Sequence, residues 1–260
     1  MIPVNESSEL FDQMLTITTE WLFELENELL LQPLLKELTL NYPCPAVLDV
    51  GSGNGAYLSL LSCYYPQLYC VGLEKDPLIF HYAQQKEKAP GLRFLPIAYE
   101  SYESDKVYDL IIVRLAALHL ANREHFAQWL RRRTRPGSAI VIIDVDDSCI
   151  DPNGATALPL FHSLYLEARR KLSVSTLMRF QDVLSIELTY AGFRRDRLET
   201  YRIEGRTRSM KQSMRAYMEL VTLMYGHNPY EPERMKEWDD WMADPFSHYT
   251  IGMFGLVLLV

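Results

Sequence analysis

The chain has 260 residues, of which 48% are hydrophobic and 23% charged, a composition that suits one α/β domain with a substantial core and excludes disorder. Its 34 acidic and 26 basic side chains leave a net charge of −8, a poor surface for non-specific nucleic-acid binding, which needs basic groups to displace counterions. The cysteines Cys44, Cys63, Cys70 and Cys149 form no Cys-x-x-Cys pair and read as small buried thiols in a reducing cytoplasm, not as a zinc site.

The first residues lack the basic flank and apolar run of a signal peptide. Residues 8–40 predict two helices, from apolar positions at Leu10, Phe11, Met14 and Leu15 and then at Trp21, Leu22 and Leu25. Pro33 suits the first turn of the second helix. From Tyr42 onward, short runs at 46–50, 69–73, 92–97, 108–113 and 139–145 are apolar throughout, as strands buried on both faces of a parallel sheet must be. The stretches 55–65, 77–88 and 121–134 between them are long enough for crossover helices, giving a βαβ rhythm. Residues 146–156 are turn-rich, 157–191 read as a long helical region ending at Gly192, and 196–204 as a strand. An amphipathic helix over 208–225 and a linker with Pro and Trp over 228–247 lead to a final apolar strand at 251–260. That last run is half the roughly 20 residues a membrane helix needs. The expected arrangement is one domain over 1–260, with the helical segments at about 1–40, 150–190 and 206–245 capping the sheet's carboxyl edge.

The central motif is Val47-Leu48-Asp49-Val50-Gly51-Ser52-Gly53-Asn54-Gly55, a buried strand running into a glycine turn. Glycines permit positive φ and close approach of backbone to a ligand. The helix that follows offers free N–H groups to an anion. Glu74 ends the next strand, where a carboxylate can accept hydrogen bonds from both hydroxyls of a ribose. These residues point to a nucleoside-bearing ligand without naming it.

Two details narrow the choice. The glycines read Gly-x-Gly-x-Gly, not the Gly-x-Gly-x-x-Gly of dinucleotide sites, and Asp49 stands two residues before Gly51. In this the sequence resembles the class I S-adenosylmethionine-dependent methyltransferases. The resemblance continues through Tyr108-Asp109-Leu110 with Leu118-His119-Leu120, through the turn Arg135-Pro136-Gly137-Ser138, and through Ala191-Gly192-Phe193. It implies a Rossmann-like, seven-stranded, mostly parallel sheet with an antiparallel final strand, plus helical cap segments. It also implies S-adenosyl-L-methionine as cofactor, held by Asp49, Gly51, Ser52, Gly53, Asn54 and Gly55 near its methionine end and by Glu74 and Lys75 at its ribose. Arg114 would lie beside the methionine, through its backbone, or with its side chain paired to an acidic residue. The family often has an Asp after the third strand to meet the adenine amine; Ala98 stands there instead, so backbone groups of Ala98 and Tyr99 are the expected adenine contacts.

Methyl transfer from a sulfonium needs positioning of the acceptor, and a base only where the acceptor must lose a proton. His119 is the candidate base, against a plain reading as a packing residue, and Asp146 the candidate acceptor-facing carboxylate. Asp144, Asp146, Asp147 and Asp151 could together hold a divalent cation, but Val113-Arg114-Leu115 occupies the place where metal-dependent catechol-type relatives carry an acid, so no metal is expected. Arg131, Arg132, Arg133 and Arg135 suit a helix C-terminus, and the arginines from 194 to 208 are interleaved with Asp196, Glu199 and Glu204. Aromatic and methionine residues in the cap segments favour a small, partly hydrophobic acceptor, with O-, N- or C-methylation unresolved. The alternatives are a protein or RNA methyltransferase, or a non-methylating S-adenosylmethionine-binding protein of the same fold. No membrane partner is expected, and a homodimer is left open.

Overall fold

The apolar runs assemble into one seven-stranded sheet in a computed structural model of the protein, which describes residues 4–149, 154–172 and 178–260. The strands are β1 (Ala46–Val50), β2 (Tyr69–Leu73), β3 (Leu92–Leu95), β4 (Leu110–Arg114), β5 (Ala139–Val145), β6 (Arg194–Glu204) and β7 (Thr250–Leu259), in the order β3-β2-β1-β4-β5-β7-β6. Strands β1 to β5 run parallel, while β7 is antiparallel to both β5 and β6. The strand order reverses between β1 and β4, and a crevice opens beyond the carboxyl ends of strands at such a switch point.

Alternation along each strand builds two cores. Leu110 and Ile112 of β4 pack with Leu22, Leu30, Leu58 and Leu61, whereas Ile111 and Val113 pack with Phe126, Trp129, Leu184 and Leu188. The first face carries α1 (Val4–Glu26), α2 (Gln32–Asn41), α3 (Ala56–Tyr64) and α4 (Pro77–Gln84), and the second carries α5 (Arg123–Arg133). The remaining helices are α6 (Gly154–Ala157), α7 (Pro159–Leu172), α8 (Phe180–Tyr190), α9 (Arg208–Met224) and α10 (Pro232–Ala243). Helix α1 packs on α9, and α7, α9 and α10 pack on one another. No helix among the described residues is long and apolar enough to cross a membrane.

Three segments differ from the sequence reading. The two N-terminal helices are joined by a π-helical turn, Asn27–Leu31, with Pro33 in the first turn of α2, where no backbone donor is needed. The long region at 157–191 contains two separate helices, α7 and α8. Helix α8 lies on α5, β6 and β7, because Leu184 and Leu188 bury on the same face as Phe126. The 228–247 linker contains a helix, α10: Pro232 sits in its first turn, and Trp238 and Trp241, three positions apart, share one buried face.

Candidate functional site

The site is built where β1 ends. Gly51, Gly53 and Gly55 adopt φ of 75°, 56° and 73°, the left-handed region that β-carbon-bearing residues avoid. The N–H groups of Gly51 and Ser52 both donate to the Leu73 carbonyl, tying the turn to β2. A β-carbon on Gly53 would stand 2.7 Å from Leu15 Cδ1, so α1 rests directly on the loop. Glu74 reaches back across this turn: its Oε2 accepts from Gly53 N–H at 3.0 Å and its Oε1 from Asp76 N–H at 2.8 Å. Burial moves the Glu74 carboxyl above its ordinary range, against the pull of these backbone donors.

A cavity of about 300 Å³ opens over the loop, lined by Gly51, Gly53, Glu74 and Lys75, by Ile79, Ile97, Ala98, Tyr99 and Glu100, and by Arg114, Leu115, Ala116, His119 and Leu120. Phe11 and Leu15 of α1 also line it. Leu115 takes φ 54°, a left-handed conformation rare for a leucine, which turns the chain sharply off β4 into the cavity wall.

Near the carboxyl ends of β1 and β4 stand two buried charges, Asp49 and Arg114. Asp49 is 2% exposed and its Oδ1 is buried without a hydrogen-bond partner. Burial pushes its pKa up to about 7, although the Arg114 charge pulls it down. Arg114 donates from Nε to Glu26 Oε2 at 2.8 Å and from Nη2 to the Thr18 carbonyl at 3.0 Å. Its guanidinium lies 4.5 Å from the centroid of the Tyr57 ring. Tyr201 Oη donates to the other Glu26 oxygen at 3.0 Å. Burial opposes the charge on Arg114, yet Glu26 outweighs it and holds the guanidinium protonated.

Of the residues expected at the site, Gly51, Gly53, Glu74, Lys75, Ala98, Tyr99, Arg114 and His119 line the cavity, whereas Asp49 is buried behind the lining. Tyr99 turns its ring into a cluster with Phe126 and Trp129, at centroid distances of 4.9 and 5.4 Å. Ser52 keeps a buried hydroxyl without a partner. Gly55 N-caps α3. Asn54 faces α1 instead of the cavity: its amide donates to Asp12 O, Asp12 Oδ1 and Thr16 Oγ1 at 2.8–3.0 Å. Asp146 is not brought to the cavity lining. It is 1% exposed, its Oδ1 accepts from the N–H and hydroxyl of Ser148, and its Oδ2 accepts from Cys149 Sγ. It closes the turn after β5. Asp147 pairs with Arg169, Asp144 accepts from Val145 N–H, and Asp151 lies outside the described residues. Sequence reasoning missed Glu26, because a glutamate on an amphipathic helix ordinarily faces water. It also missed Phe11 and Leu15 as cavity residues, since their spacing indicates only a buried face.

A sequence profile for a methyltransferase domain matches residues 48–142, from β1 through β5. Residues 48–142 are thus similar to a methyltransferase domain, and the sheet around them has the matching fold. The chain is 25% identical over 149 residues to a malonyl-[acyl-carrier protein] O-methyltransferase of Paenibacillus sp. (strain JDR-2), covering 54% of each protein. It thus spans about half the length of that relative. Among solved structures, an S-adenosylmethionine-dependent methyltransferase from Thiobacillus denitrificans in complex with S-adenosyl-L-homocysteine aligns with TM-score 0.53 at 15% identity, over 88% of this chain and 91% of that one. The cyclopropane synthase MmaA2 from Mycobacterium tuberculosis aligns with TM-score 0.55 at 12% identity, over 87% and 84%. At these identities the two structures speak for the fold alone.

The residues of the domain fit the cofactor. A buried carboxylate oxygen on Asp49 and a buried hydroxyl on Ser52 have no partner in the protein, and polar atoms so placed call for a ligand or water. Glu74 stands 21 residues after Gly53 in sequence and touches its backbone, which puts a carboxylate at the rim of the glycine turn.

Proposed function

We propose that the chain transfers the methyl group of S-adenosylmethionine to a small, partly hydrophobic acceptor. One observation carries the reading. The cavity that contains Gly51, Gly53 and Glu74 is also lined by Phe11, Leu15, Leu120 and His119, so the nucleoside-reading residues and an apolar wall share one space. The net charge of −8 weighs against an RNA acceptor.

When bound, S-adenosylmethionine supplies a methyl group already activated as a sulfonium, which reduces the protein's task to holding the two reactants in line. Asp49, Arg114 and the glycine turn fix one end of the site and Glu74 the ribose. Ile79 and Ile97 line the part of the cavity nearest β3 and give a flat base an apolar seat. Phe11 and Leu15 exclude water on the α1 side. His119 is the base for an acceptor that loses a proton. Burial, with the Lys75 and Arg169 charges, lowers its pKa, so the imidazole is neutral near pH 7 and ready to accept. Asp146 has no part in this reading, since its oxygens are engaged in the turn after β5. Of the cysteines expected to be buried, Cys70 is, while Cys44 and Cys63 are exposed; their free thiols still suit the proposed setting, a reducing cytoplasm.

Labelled S-adenosylmethionine incubated with the protein and a panel of phenols, amines, carboxylic acids and acyl thioesters tests the proposal. The acids and thioesters are included because of the Paenibacillus relative's named substrate. Methyl product and S-adenosylhomocysteine should form in equal amounts with at least one apolar acceptor. Tight cofactor binding with no product across the panel, or product with RNA alone, contradicts it.

A further inference from the structure

A second group of polar side chains stands over the carboxyl end of β5, apart from the glycine turn. Arg169 lies on α7 with its side chain 13% exposed, and its Nε and Nη2 donate to the two oxygens of Asp147 at 2.7 and 3.0 Å. That side-on fork uses two of the five N–H groups of the guanidinium and leaves the end-on edge of Nη1 and Nη2 without a partner among the described residues. Tyr165 precedes Arg169 by one turn of α7, so the two share a face. Tyr217 comes from α9, which packs on α7. The Arg169 charge is felt by both phenols and by His119, which lines the cavity, and the turn Ala117–His119 packs on β5. The group therefore adjoins the cavity beyond β4 and β5. Phe161 stacks on Tyr165 at 6.2 Å and Trp21 meets the Tyr217 ring edge-on at 5.3 Å, which fixes both rings. Neither hydroxyl has a hydrogen-bond partner among the described residues. Burial keeps both protonated: Tyr217 is pushed up to about 12 and Tyr165 well above its ordinary value. Asp144, also near Arg169, is 2% exposed within the end of β5 and adds to the field that holds the guanidinium. The unmet atoms of Arg169, Tyr165 and Tyr217 are thus groups that keep their protons near neutral pH. An oxyanion satisfies them, whereas a cation or an apolar group leaves them unmet.

We propose that Arg169, Tyr165 and Tyr217 bind a carboxylate carried by the methyl acceptor. The inference rests on the reading of the cavity as the place of methyl transfer and names the acceptor class, an apolar acid. A carboxylate meets the end-on edge of a guanidinium through two parallel hydrogen bonds, and Asp147 holds that guanidinium in one orientation from its other edge. Because Asp147 already offsets the Arg169 charge, the acid is selected by the geometry of the donors more than by net charge. The donors are set before the ligand arrives, so little ordering opposes binding.

Calorimetric titration of benzoate, 4-hydroxybenzoate and hexanoate, each against its carboxamide, into protein saturated with S-adenosylhomocysteine reads the contact without turnover. At least one acid should bind about tenfold more tightly than its amide, as expected for one charge-assisted contact. The double variant Arg169→Gln/Asp147→Asn removes both charges of the pair together, and thermal melting checks that it folds. It should bind acid and amide within about twofold of each other, because the guanidinium edge is gone. Tyr217→Phe keeps the ring and its place against Trp21, guards against a double variant that fails to fold, and should lower the preference by about threefold, the effect of one hydrogen bond. Wild-type protein that binds none of the acids, or binds every amide as tightly as its acid, overturns the proposal. So does a folded double variant or Tyr217→Phe that keeps the full preference. Failure of S-adenosylhomocysteine to bind is read before any acid is added, and overturns the cofactor reading and the acceptor assignment with it.

Discussion

At the scale of single residues, Asp49 sets a conflict between stability and binding. Its carboxyl, ordinarily near 3.8, titrates at about 7 because burial penalises its charge. Between those two values the folded state keeps a proton that the unfolded chain has released. Stability therefore falls as pH rises through that window, and on the proposed function a cationic cofactor beside this carboxylate binds more tightly as pH rises through about 7. Asp49→Asn removes the charge. We expect its melting temperature at pH 8 to rise by about 2–4 °C, the shift that on the order of 1 kcal/mol gives in a chain of this size. Affinity for S-adenosylhomocysteine should fall in the same variant. Calorimetric scanning and titration at pH 6 and pH 8 measure both; a variant that melts lower and binds as before refutes this account. Gly53→Ala would need a methyl group at φ 56° and 2.7 Å from Leu15. It should lower stability by more than the ~1 kcal/mol cost of a left-handed alanine alone, read from denaturant melts.

At the scale of elements, α1 is fastened to the site by side chains scattered along the sequence. Asn54 donates to Asp12 and Thr16, Arg114 to Glu26 and Thr18. Asn54→Ala removes the first set, so the amides of residues 8–18 should exchange with solvent faster by about tenfold or more while the β4 and β5 amides stay protected. Uniform exchange in both regions would count against the fastening. Helix α10 is held differently, by Trp238 and Trp241 buried in the core cluster where it meets α7 and α9. Trp238→Ala should cost about 3–5 kcal/mol of stability. These elements also show what the sequence makes legible. The strands were readable because a strand buried on both faces is apolar throughout, and β1, β2 and β5 fall where the runs of apolar residues fall. Helix α10 was not, because its prolines and polar residues read as a linker and its two tryptophans gain meaning only against α7 and α9. The place of Glu74 beside the glycine turn was readable because it follows directly on β2, the strand paired with β1. Glu26 was not, since its partner Arg114 is distant in sequence and only the packing of α1 on β4 brings them together.

At the scale of the whole molecule, the doubly wound sheet, the glycine turn and the helical cover describe one ligand-binding cleft at the β1/β4 switch point. On the proposed function this cleft binds S-adenosylmethionine or its product through Glu74 and the turn it touches. Titration of S-adenosylhomocysteine into the wild type and into Glu74→Ala tests it most directly. The prediction is one site per chain, with affinity in the micromolar range or tighter, weakened by about 10- to 100-fold in a folded Glu74→Ala, the loss expected when a carboxylate taking two ribose hydroxyls is removed. No binding to folded wild-type protein at high micromolar ligand, or equal affinity in the two proteins, would contradict it.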